Sequence, residues 1–196
     1  LSLKDALQEI PNIPHSSCPK GFSDKDNVVI KEKKTNKDFN FNPKNHIEIG
    51  KQLDILDFEV AAKMSGSGFP LYKGKGALLE RALINFMIDY HLKNFNYTEI
   101  FTPFLVKPDS ALTTGQLPKF SEDMYPIEKD DLYLIPTAEV SLTNIHKDDI
   151  LSFDDLPKYY LGYSACFRRE AGSYGKDTRG LLRVHQFNKV ELVKFV

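Results

Sequence analysis

The sequence predicts an α+β fold in which an antiparallel β-sheet is flanked by helices. Three observations lead there. First, Leu79, Leu83, Phe86, Met87 and Tyr90 recur at helical spacing between Ala77 and Phe95, and Arg81, Asn85, Asp89 and Lys93 mark the opposite face, which is the pattern of a long amphipathic helix. Second, β-prone runs follow at Tyr97 to Thr102, Leu132 to Ile135, Tyr159 to Phe167 and Leu181 to Val196. Third, the last two runs are joined by Ala171 to Gly180, which carries Gly172, Gly175 and Gly180, so they are expected to pair as an antiparallel hairpin with a flexible loop. Helices at the ends and a sheet between them make a layered α+β architecture.

Each element has its own signal. The strand at Tyr97 to Thr102 is closed by Pro103, and a proline in a sheet belongs at an edge, a bulge or a junction. Residues 1–45 are rich in Pro, Asn, Asp and Lys, with turn signals at Pro11, Pro14, Pro19-Lys20-Gly21 and Asn42-Pro43. They read as an extended lead-in in which Leu3 to Ile10 and Asn27 to Lys31 hint at regular structure. The charged tract from Lys31 to Asp38 reads as an exposed loop. The domain proper is expected from His46 to Val196.

With 196 residues, 41% of them hydrophobic and 12% aromatic, the chain can bury a sizeable core. No run approaches the ~20 apolar residues of a membrane-spanning helix, and the N-terminus lacks the pattern of a secretory leader, so a cytoplasmic protein with no membrane partner is expected. Cys18 and Cys166 are too few for a disulfide framework and lie outside metal-ligand spacing; both read as reduced thiols. The net charge of −1 excludes a generally nucleic-acid-coating surface, but the stretch Arg168 to Lys189 holds six basic residues against two acidic ones. A polyphosphate or an RNA backbone could dock there.

On the two predicted strands, even separations place Arg168 with Glu170, and Arg183 with His185, Phe187 and Glu191. From Arg183 to Glu191 an extended strand spans about 26 Å at ~3.3 Å per residue, room for an extended nucleotide and a small second substrate. Arginine makes forked bonds to phosphate, an aromatic face stacks on a base, and a carboxylate accepts from an exocyclic amine. The same spacing is equally compatible with a salt-bridged sheet face pairing Arg168 with Glu170 and Arg183 with Glu191 over an ordinary core Phe187.

The run Cys166-Phe167-Arg168-Arg169-Glu170-Ala171-Gly172-Ser173-Tyr174-Gly175-Lys176-Asp177-Thr178-Arg179-Gly180-Leu181-Leu182-Arg183-Val184-His185-Gln186-Phe187 closely resembles the second signature motif of bacterial-type seryl-tRNA synthetases, class II aminoacyl-tRNA synthetases. The resemblance extends over nearly the whole chain. It includes Ile10-Pro11-Asn12-Ile13-Pro14-His15, Leu56-Asp57-Phe58, Ser65-Gly66-Ser67-Gly68-Phe69, and the first-motif helix Leu79-Glu80-Arg81-Ala82-Leu83-Ile84-Asn85-Phe86-Met87 with Pro103. It continues in Gly115-Gln116-Leu117-Pro118-Lys119-Phe120 and Ile135-Pro136-Thr137-Ala138-Glu139-Val140.

The resemblance implies ATP-dependent activation of L-serine to seryl-adenylate and transfer of serine to tRNA(Ser), with Mg²⁺ assisting. It assigns Thr137, Ala138 and Glu139 to the serine α-amino group, Glu191 to the serine hydroxyl, and Arg168 to catalysis, bridging the serine carboxylate and the α-phosphate. ATP falls to Arg168, Arg169, Glu170, Arg183, Val184 and Phe187, with Glu170 and the backbone near Val184 on adenine, Phe187 stacked beneath it and Arg183 on the γ-phosphate. Ser173, Lys176 and Arg179 are expected at the tRNA acceptor end. A homodimer is expected through Ala77 to Val106, where apolar helix surface and strand edge need a partner.

The family also has an N-terminal helical arm, a glycine-rich third motif and acidic metal ligands before that motif. None falls within these residues, so the chain is expected to be an N-proximal catalytic fragment, inactive alone and without a metal site. Arg169 stands where many relatives have serine, and Gly68 and Pro70 depart from the commoner form of their tract. Two alternatives stay open: an amino acid:carrier-protein ligase related to these enzymes, and a non-catalytic synthetase-like interaction module.

Overall fold

The computed structural model describes residues 2–8, 10–33, 39–171 and 179–196. They divide into two units, Leu1–Pro43 and Lys44–Val196. In the first, α1 (Leu3–Gln8) is followed by irregular chain and a single 3₁₀ turn at Asp24–Asp26, where Ser23 caps the turn and Asp26 reaches back to the cap backbone. The expected regularity at Asn27 to Lys31 does not form, because Asp26 closes its hydrogen bonds locally, accepting from Phe22 and Ser23. All described side chains of this unit are exposed.

The second unit begins with α2 (His46–Gln52), whose start is set by a reciprocal cap: Asn45 accepts from the Glu48 amide and Glu48 accepts from the Asn45 amide. Next come α3 (Phe58–Ser65), capped by Asp57, and the long helix α4 (Lys75–Phe95), which ends on Asn96 in the left-handed conformation. Gly76 in its first turn is required by close approach, since a Cβ there would lie 2.4 Å from the Ile55 carbonyl oxygen. The apolar residues of α4 that the periodicity singled out, Leu79, Leu83, Phe86, Met87 and Tyr90, are largely exposed in this chain.

Two three-stranded sheets follow. β2 (Leu105–Val106), β4 (Leu132–Leu134) and β3 (Tyr125–Ile127) form an antiparallel sheet with β4 in the centre, and α5 (Pro108–Thr113) lies between β2 and β3 in the chain. The other sheet is β1 (Thr98–Glu99), β5 (Lys158–Phe167) and β6 (Gln186–Phe195), in that order. β5 and β6 pair antiparallel from Lys158↔Phe195 to Phe167↔Gln186, whereas β1 pairs parallel to β5. The expected antiparallel sheet thus has one parallel edge. β1 is also shorter than the predicted strand: Ile100 donates to the Leu161 carbonyl and the chain then turns away toward Pro103. The core between the sheets contains Val106, Ile135 and Val140, with Leu161, Cys166 and the inner face of α6 (Ala138–Thr143) fully buried.

The first strand of the hairpin matches its predicted span to within one residue, whereas the second is shorter than predicted, beginning at Gln186 rather than Leu181. Asp123 ends β5: its carbonyl accepts from Arg169 N at 2.8 Å, and its carboxylate accepts from Ala171 N at 2.7 Å. Glu170 is left-handed, with φ +52°. On the other side, His185 N donates to the Gly68 carbonyl rather than to the ladder, and Leu181 N donates to His46. Arg168, Glu170, Arg183 and His185 therefore lie beyond the strands, and only Phe187 and Glu191 keep their predicted strand alternation. No helix among the described residues is long and apolar enough to cross a membrane.

Candidate active site

Thr137 caps α6, and its hydroxyl accepts from the Glu139 amide at 3.2 Å. Thr137 and Glu139 both line a cavity, while Ala138 is fully buried. Arg168 emerges at the end of β5. Its Nε donates to the Pro136 carbonyl at 3.2 Å and its guanidinium lies over the Phe187 ring, 5.1 Å from the centroid. Arg183 pairs with Glu170 across the connection. Its Nε is buried with no hydrogen-bond partner among the described residues.

These segments close around a cavity of about 380 Å³ lined by Thr137, Glu139, Arg168, Glu170 and Arg183. The salt-bridged alternative is thereby altered: Glu170 pairs with Arg183, not Arg168, and Glu191 pairs with Lys189, not Arg183. Phe187 lies against a second cavity, of about 240 Å³, that also meets Phe69 and Tyr72. Glu191 stands one contact back from the main cavity, accepting from the Thr137 hydroxyl at 2.7 Å. Val184 is buried. Arg169 is exposed and joins the site only through its backbone bond to Asp123, with its charge opposing the upward push that burial gives the Tyr125 hydroxyl. Arg179 is exposed, and Ser173 and Lys176 lie outside the described residues.

Several cavity residues were given no role at the sequence level. Gln116, Phe120, Asp123 and Met124 come from the segment before β3. Lys189 is the most consequential: its ammonium donates to the Thr137 hydroxyl at 2.6 Å and pairs with Glu191. Its even spacing from Phe187 and Glu191 was a usable signal for its face. Below the site, burial pushes the Cys166 thiol up, and a bond from Ser164 and the nearby Lys189 charge oppose the shift.

Residues 121–196 match the family model described as the tRNA synthetase class II core domain (G, H, P, S and T). The chain is 61% identical over 194 residues to a serine–tRNA ligase of Geobacillus sp. (strain WCH70), covering 99% of this chain and 46% of the relative. It is 60% identical to one from Chloroherpeton thalassium, covering 98% and 45%. It superposes with a TM-score of 0.90 and 36% identity on seryl-tRNA synthetase from Pyrococcus horikoshii complexed with ATP, covering 97% of this chain and 47% of that one. Over nearly its whole length the chain corresponds in sequence and fold to part of these seryl-tRNA synthetases. It spans about half the length of the curated relatives it matches.

Proposed function

We propose that the protein to which these residues belong activates L-serine with ATP and transfers the seryl group to tRNA(Ser). One observation carries this reading: Thr137, Glu139, Arg168, Glu170 and Arg183, from three separate stretches of sequence, converge on one cavity. In the first step a serine carboxylate oxygen bonds to the α-phosphorus of ATP, the bond to the departing pyrophosphate breaks, and seryl-adenylate remains. In the second, the terminal ribose hydroxyl of the tRNA takes the seryl group and AMP leaves.

Arg168 is the proposed catalytic residue. Its Nε is committed to Pro136 and its plane rests on Phe187, so the terminal nitrogens are held toward the cavity, where they can draw the serine carboxylate and the α-phosphate together and offset charge as phosphorus becomes five-coordinate. Glu139 faces the α-amino group as its carboxylate partner, beside Thr137 and Ala138. Glu170 accepts from the adenine amine and the backbone at Val184 reads the ring, with Phe187 stacked against it. Arg183, with its unpartnered Nε, takes the γ-phosphate, which requires its pair with Glu170 to open when the nucleotide enters. Arg169 adds positive charge at the nucleotide rim. Glu191 receives the serine hydroxyl.

Mg²⁺ would assist by neutralising phosphate charge; among the described residues no three or more His, Cys, Asp or Glu are grouped as a metal site. Ser173, Lys176 and Arg179 are the proposed contacts of the tRNA acceptor end. Residues 46–196 are read as the N-proximal part of the catalytic domain and residues 1–45 as its lead-in. The exposed apolar face of α4 supports a homodimer through Ala77 to Val106. A cytoplasmic location follows from the substrates. Serine-dependent ATP–pyrophosphate exchange by the full-length gene product, followed by charging of tRNA(Ser), is the expected result. Exchange with loading of a carrier protein in place of tRNA would replace this reading with the ligase alternative.

A further inference from the structure

The amino-acid end of the cavity contains a charge that the functional reading does not use. The Thr137 hydroxyl is only 4% exposed and its bonding is complete: it donates to Glu191 Oε2 at 2.7 Å and accepts from Lys189 Nζ at 2.6 Å and from Glu139 N at 3.2 Å. Lys189 also pairs with Glu191 through the same Oε2, and both side chains are mostly withdrawn from solvent, at 30% and 22% exposure. Lys189 lines the cavity; Glu191 is reached through it and Thr137. Among the described residues, Oε1 of Glu191 makes no bond, so one acceptor of the carboxylate is left for a donor from a ligand.

We propose that Lys189 is a specificity-determining residue: by pairing with Glu191 it makes the side-chain end of the amino-acid pocket electrically neutral, so that the site takes a neutral hydroxyl and rejects an ammonium of the same size. This rests on the reading of the pocket as a serine site. A half-buried carboxylate with no counter-charge is the natural partner of a cation. Were Glu191 alone at this point, L-2,3-diaminopropionate, which carries an ammonium where serine carries its hydroxyl, would bind it through a charge-assisted bond. Lys189 removes that opportunity in two ways. It supplies the compensating positive charge, and it repels a second ammonium brought within a few ångströms. The serine hydroxyl meets neither obstacle, since it brings no charge and needs only the remaining acceptor. The shared hydroxyl of Thr137 locks the pair in register, so the discrimination is built into the strand and the helix cap together rather than left to a mobile side chain.

The test is ATP–pyrophosphate exchange with serine and with L-2,3-diaminopropionate, using the full-length gene product, its Lys189→Met variant, and Lys189→Met combined with Glu191→Gln. The unsubstituted protein is expected to use serine and to exclude the diamine. Lys189→Met should shift the serine-to-diamine ratio of kcat/KM by about 10- to 100-fold toward the diamine, the range of one charge-assisted hydrogen bond, mainly through KM. Adding Glu191→Gln should cancel the gain, because the carboxylate that attracts the diamine is gone. A ratio that stays within about threefold in Lys189→Met, or a gain that survives Glu191→Gln, overturns the role of Lys189. If Lys189→Met does not fold, Lys189→Gln, which keeps a polar donor without charge, is read in the same way. Absence of serine-dependent exchange in the unsubstituted protein overturns the serine reading itself, a result distinct from a normal serine rate with an unmoved ratio.

Discussion

The ladder of β5 and β6 and the connection between them, residues 168–185, are adjacent in the chain yet organised by different forces. The ladder is held by a regular series of backbone bonds with Leu161 and Cys166 fully buried beneath it. The described residues of the connection are held by separate contacts to distant segments, Asp123 on Arg169 and Ala171, Gly68 on His185 and His46 on Leu181, and by the internal Arg183–Glu170 pair. The ladder supplies stability and a fixed platform. The connection supplies the charged groups, in positions that a strand would not give them. Arg168, Glu170 and Arg183, the groups proposed to meet the nucleotide, lie where the backbone is released from the sheet.

That contrast can be broken at the ladder first. Leu161→Ala removes a side chain with no exposed surface and should cost about 2–5 kcal/mol of stability, read from urea denaturation midpoints. A loss under ~1 kcal/mol would mean that the ladder is not the stabilising half. On the connection, Arg168→Ala should reduce serine-dependent pyrophosphate exchange by about 10²-fold or more with little change in melting temperature, because it removes a positioned charge and no packed core. Equal losses of activity and stability would erase the distinction between the two regions.

Gly68→Ala probes the clasp that holds the connection. Gly68 has φ +82°, and a Cβ there would lie 2.5 Å from His185 Cδ2, on a ring that is fixed by its Nδ1 at 3.0 Å from the Arg168 carbonyl. The expected cost is about 1–3 kcal/mol, with exchange activity falling further than stability alone explains because Arg168 shifts with His185. The smallest effect concerns Cys166 in the ladder. Burial raises its thiol above the ordinary value of 9.0, so the unfolded chain loses its proton first. The contribution is intact below that value and is lost as pH rises through it, by at most about 1.4 kcal/mol per pH unit. Thiol titration should accordingly find exposed Cys18 fast and buried Cys166 slow until unfolding, and equally fast thiols would show an open ladder.

Local pattern was enough for elements whose side chains report their own backbone. The spacing of Leu79, Leu83 and Met87 described α4 to within a few residues, and the aromatic-rich run ending at Phe167 described β5. The motif residues supplied the side chains proposed to carry the chemistry, and their even spacing kept Phe187 and Glu191 together on β6. What tertiary structure decided was the end of that regularity. Whether Arg168 continues a strand depends on Asp123, whether His185 begins one depends on Gly68, and whether Glu191 is alone or paired depends on Lys189 and Thr137. None of those partners is near in sequence except Lys189. Periodicity records which face of an element is apolar, but a polar contact between segments leaves no periodic trace, and it is such contacts that set the geometry of this site.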